Sequence, residues 1–104
     1  MMLARRQPLV VVASATPGAA ERIAARFRRD GALAYATHSA QGCLRVATSV
    51  RPDVVLIDPA LQARGWLMRL LRAHPSSAHA ALRPITSQAS EAAGVERTAH
   101  LVAA

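Results

Sequence analysis

A chain of 104 residues with 52% apolar side chains is one domain long and carries enough hydrophobic material for a core, which excludes an intrinsically disordered protein. Arg, Asp or Pro breaks every apolar run well short of the roughly 20 residues a membrane-spanning helix needs, and Leu9 to Ala13 is too short for a secretory h-region, so the expected compartment is the cytoplasm. The 13 cationic side chains are all arginines against six acids, for a net charge of +7, and the single cysteine, Cys43, excludes an internal disulfide.

In chain order, residues 1–7 are expected to be a disordered lead-in. Leu9 to Ala13, Leu-Val-Val-Val-Ala, is short, β-branched and apolar throughout, the pattern of a strand buried on both faces of a parallel sheet. Thr16-Pro17 then reads as an N-cap followed by proline in the first helical position. Ala20, Ile23, Ala24 and Phe27 recur at helical spacing, with a stop near Asp30-Gly31.

Leu33 to Thr37 alternates weakly and contains Tyr35, which suggests a strand near a sheet edge. Ser39 can cap a second helix whose apolar face holds Cys43, Val46, Ala47 and Val50, and Pro52 stops it. Asp53 opens Val54 to Ile57, the strongest strand signal, which terminates at Asp58-Pro59. Leu67, Leu70 and Leu71 mark a third amphipathic helix ending around His74-Pro75, and Ser76 to Ala81 reads as a loop. A weak strand is expected over Leu82 to Thr86, then a short helix capped by Ser90 through Glu91 to Arg97, and a last strand at His100 to Val102.

Strands alternating with helices over short connections imply an α/β domain with an open parallel sheet, because each parallel strand requires a crossover. Ligand or catalytic groups should then collect at the C-terminal ends of the strands, which directs attention to Ala13-Ser14, Asp58 and Thr86-Ser87. Asp58 there has two readings. It is either a nucleophile that accepts a phosphoryl group or a turn residue before Pro59 whose carboxylate accepts local backbone hydrogen bonds.

The run Arg51-Pro52-Asp53-Val54-Val55-Leu56-Ile57-Asp58, followed by Pro59-Ala60-Leu61, resembles the central segment of the response-regulator receiver family of bacterial two-component phosphorelay signalling. Leu9 to Ala13 resembles that family's first strand, and Ala19 to Gly31 its first helix and turn. The resemblance implies a three-layer, flavodoxin-like sheet of order 2-1-3-4-5 across a single domain, residues 1–104. It also implies that Asp58 stands where the family places its phosphoacceptor, and that Thr86 or Ser87 stands where it places its switch hydroxyl.

The departures are equally legible. The family's first strand ends in an acidic pair that holds a divalent cation, and this chain has Ala13 and Ser14 there, so Asp58 alone would be a weak magnesium site. The family's lysine after the fifth strand has no counterpart, since the chain contains no lysine, and arginine differs from it in shape and reach. The expected protein is therefore a degenerate receiver, not an enzyme. It would require no cofactor, with Mg2+ relevant only if Asp58 is phosphorylated, and would act through contact with a histidine kinase, an output domain or another receiver. In the family a fifth helix helps cover one face, so a chain ending at Ala104 is expected to leave apolar surface near strands one and three, a surface suited to homodimerisation.

The alternative is a basic α/β protein that binds nucleic acid or another polyanion. Arg22, Arg26 and Arg29 fall at i, i+4 and i+7 of the first helix with Arg28 beside them, a candidate phosphate-binding patch or a solvated face. Only three aromatic residues are present to stack on bases, and arginine without lysine is also what codon bias produces. Trp66 reads as a packing residue or a partner anchor. His38, His74, His79 and His100 have no metal-like spacing, and Thr16-Pro17-Gly18 lacks the glycine spacing and lysine of a phosphate loop.

Overall fold

The computed structural model describes residues 7–61 and 65–85. The β-branched runs form the interior of the sheet. Leu9–Ala13 is β1 and Val54–Ile57 is β3, and Val10, Val11, Val12, Val54, Val55 and Ile57 are all essentially without solvent contact. Leu33–Thr37 is β2 and Ala81–Pro84 is β4. All pairings are parallel and the order is β2-β1-β3-β4, so the described sheet matches the first four strands of the expected order. The expected fifth strand at His100 to Val102 and the helix after Ser90 lie outside the described residues.

Helices cover both faces. On one side α1, Ala19–Arg29, sets Ala20, Ile23, Ala24 and Phe27 against Val10, Val12, Val54 and Leu56. On the other, α2, Ala40–Val50, and α3, Trp66–Ala73, bury Cys43, Ala47, Leu67 and Leu71 against Val11, Ala13, Val55 and Ile57. The alternation of side chains along β1 and β3 assigns successive residues to the two cores. Each fully buried Ile or Leu in them contributes on the order of 1.5–3 kcal/mol.

Several expectations are corrected. Helix α1 starts at Ala19 rather than after Thr16. The Ala19 N–H donates to the Thr16 carbonyl across a turn, and Gly18, at φ 77°, is the N-cap. A left-handed residue before the helix is accessible to glycine without strain, so Pro17-Gly18 acts as a turn rather than as the first helical residues. Leu70 is 45% exposed, because Leu67 and Leu71, four apart, already define the inward stripe of α3.

Strand β4 begins at Ala81, whose N–H pairs with the Asp53 carbonyl, and it ends at Pro84, so Ala81 belongs to the sheet and not to the loop. Val10 and Val12 on β1 and Val54 and Leu56 on β3 are buried. The large apolar residues that are exposed, among those described, are Leu33 and Tyr35 on β2 and Leu70 on α3. Of the lead-in 1–7, Gln7 is described, and its side-chain amide donates to the Gly31 carbonyl at 3.1 Å.

Among the described residues, no helix is long and apolar enough to cross a membrane.

Candidate functional site

The chain leaves β1 toward β2 on one side and comes back to β3 on the other, so the connections diverge above the C-terminal ends of β1 and β3. Two polar residues meet there. Ser14 follows β1 and Asp58 follows β3, and sheet-type hydrogen bonds fix both backbones. The Ser14 N–H donates to the Thr37 carbonyl at 3.1 Å and the Asp58 N–H to the Ala13 carbonyl at 2.9 Å. With the main chain held in this way, the Ser14 hydroxyl donates to Asp58 Oδ2 at 3.1 Å, and the same hydroxyl oxygen accepts the Thr16 N–H at 3.2 Å. Ser14 is buried and Asp58 half-buried.

The other carboxylate oxygen looks back along the chain. Asp58 Oδ1 accepts the Ala60 N–H at 3.0 Å, and the Asp58 carbonyl accepts the Leu61 N–H at 2.8 Å. These bonds cap the short 3-10 turn Pro59–Leu61, for which proline supplies the fixed φ. The turn-residue reading of Asp58 is therefore present in the structure. One oxygen serves the turn and the other serves Ser14.

The donor set does not fit a magnesium ion. Asp58 is the one carboxylate of this pair, both its oxygens are engaged, and the neighbouring positions supply a methyl group from Ala13 and a hydroxyl from Ser14. Mg2+ asks for several hard oxygen ligands in octahedral array. No cluster of three or more His, Cys, Asp or Glu side chains suited to a metal occurs among the described residues.

The remaining sequence-derived candidates fall in different places. Thr86 and Ser87 lie outside the described residues. Of the arginines on α1, Arg22, Arg26 and Arg29 are exposed. Arg28 is not a free member of that patch, since its Nε and Nη2 donate to the Ala34 carbonyl at 3.1 and 2.7 Å, and that carbonyl faces outward from the edge strand β2. Arg26, Arg28 and Arg29 occupy the last turn of α1, where the helix dipole favours cations. Cys43 is buried on α2, and burial pushes its thiol up to about 11 against a smaller opposing effect from a hydrogen bond with Thr37.

Sequence reasoning missed two pairs near the sheet ends. His38, just past β2, contacts the Glu21 carboxylate in the first turn of α1, and this hydrogen bond is the main cause holding the Glu21 carboxyl below its ordinary range. At the opposite end of β3, Asp53 Oδ2 accepts the Leu9 N–H at 2.8 Å. A signal for the second was available, because Pro52-Asp53 before a buried strand puts a carboxylate where a neighbouring strand begins.

No family model matches the chain, and neither the curated proteins nor the solved structures contain a match.

Proposed function

We propose that this chain is a flavodoxin-like, receiver-type signalling module that has lost phosphoryl-transfer chemistry and acts through contacts with other proteins, such as a histidine kinase, an output domain or another receiver. The observation that carries the reading is the Ser14–Asp58 hydrogen bond at the ends of β1 and β3. An aspartate sits where a receiver would hold its phosphoacceptor, and a hydroxyl occupies the place of the acids that would gather a cation around it. Phosphoryl transfer depends on electrostatic stabilisation of the developing charge, so an aspartate with a serine partner and no second carboxylate is a poor acceptor. The strand order β2-β1-β3-β4 agrees with this class of fold as far as the described residues extend. The module needs neither catalysis nor a cofactor.

The test is the intact mass of the folded protein after incubation with magnesium and a small phosphoryl donor, beside Asp58→Asn. The expected result is an unchanged mass for both. A single phosphoryl adduct on the natural chain that vanishes in Asp58→Asn would overturn the loss of chemistry and make the protein an active receiver.

A further inference from the structure

The open apolar surface of the described sheet lies on β2, where Leu33 is 44% and Tyr35 41% exposed. Parallel register pairs Leu33 with Leu9 and Tyr35 with Val11, so both stand on the sheet face that α2 and α3 cover further in. At the N-terminal end of this face, a groove opens between β2 and the last turn of α2, lined by Leu9, Leu33, Ser49, Val50, Arg51 and His79. Arg45 is exposed one turn before Ser49 on α2.

The charge here is one-sided. Among the described residues, the lining of the groove includes Arg51 and no acid. Asp53, the next acid along the chain, has a carboxylate oxygen on the Leu9 N–H. An apolar floor beside Arg51, with no acid in the groove's described lining, calls for an occupant with apolar side chains and negative charge.

We infer that the Leu9–Leu33–Val50 groove is a docking surface for an acidic protein segment, whose apolar side chains fill the groove while its carboxylates meet Arg45 and Arg51. A second copy of the chain is the poorer occupant, because it would bring further cations of a +7 molecule against Arg51. A nucleic acid would satisfy the arginines but not Leu9, Leu33 and Val50, and Tyr35 is the one aromatic ring on β2. Addition of the segment as an extra strand on β2 is opposed by the Arg28 guanidinium, which already holds the outward Ala34 carbonyl, so the segment lies across the face. The groove is at the opposite end of the sheet from Asp58. Its occupancy is therefore separable from whether Asp58 accepts a phosphoryl group.

The experiment is affinity selection of short random peptides on the full chain, followed by titration of the enriched peptides. Peptides combining Asp or Glu with Leu, Ile or Phe are expected. Their binding should weaken about tenfold with Leu33→Asp, as for loss of an apolar anchor, and about threefold with Arg51→Gly. Arg51→Gly removes the charge at a left-handed position that suits glycine, so it tests that charge without threatening the fold. Asp58→Asn should bind like the natural chain, which keeps this result distinct from the mass experiment.

Enrichment of peptides without acids, no enrichment, or binding indifferent to both groove variants would overturn the inference. So would a single-stranded oligonucleotide that competes for the groove and is lost with Arg51→Gly. A sedimentation mass that falls from dimer to monomer on Leu33→Asp would assign the face to a second copy and overturn it as well.

Discussion

Two aspartates bracket β3, and each ties it to β1 in a different way. At the N-terminal end Asp53 accepts a backbone N–H from Leu9, while its own N–H donates to the Leu9 carbonyl at 2.8 Å. At the C-terminal end Asp58 accepts a side-chain hydroxyl from Ser14 and a local N–H from Ala60. A backbone donor at a strand start cannot turn away when its acceptor is lost, whereas a hydroxyl can rotate to another partner. The first end is built for stability and the second retains freedom to change partners. The same residue type is thus structural at one end of a strand and a candidate functional group at the other.

The sharpest way to break this comparison is to remove both carboxylates in turn. Asp53→Ala is expected to cost about 1–3 kcal/mol in denaturant unfolding, because the Leu9 N–H loses its acceptor in a half-buried setting. A smaller effect, about 0.5–1.5 kcal/mol, is expected for Ser14→Ala, which removes the hydroxyl shared between Asp58 and the Thr16 N–H. Asp58→Asn should cost less than either, since an amide can still cap the 3-10 turn. Equal losses for Asp53→Ala and Asp58→Asn would abolish the distinction between the two ends.

Beside Asp53, Arg51 ends α2 at φ 52°, where a side chain is strained, and Arg51→Gly is expected to stabilise by about 0.5–1 kcal/mol in the same assay. The smallest effect belongs to the C-terminal end. Glu21 should titrate below an ordinary glutamate by NMR and return toward the ordinary value in His38→Ala. A carboxyl held low in the folded state adds stability that is present above its unfolded pKa and fades as pH falls through the folded one, so the stability contributed by Glu21 should be lost on acidification.

The strands that form the sheet interior were legible because their sequences are continuous and β-branched: Leu9–Ala13 and Val54–Ile57 have the expected bounds. The cap at Ser39 was legible for a similar reason, and its hydroxyl accepts the Gly42 N–H at 2.9 Å. What escaped depended on tertiary placement. Local pattern cannot say that Gly18 rather than Thr16 would begin α1, or that Leu70 would face outward once Leu67 and Leu71 had chosen the stripe. Ser14 shows the limit most plainly. In the sequence it is a position lacking an acid, and only the pairing of β1 with β3 makes it the partner of Asp58. Arg28 belongs to the same group, since its acceptor on β2 is defined by the packing of α1.

Cys43 gives the fold a built-in clock. It is the one thiol in the chain and is shut inside α2 with a pKa near 11, so alkylating reagents at neutral pH can reach it only when that helix lifts from the sheet. Helix α2 also carries Gly42, and Thr48 and Ser49 turn their hydroxyls back onto the Leu44 and Arg45 carbonyls, so it depends on tertiary packing more than on its own propensity. The labelling rate of a single sulfur would then report the opening free energy of one helix, without any engineered probe.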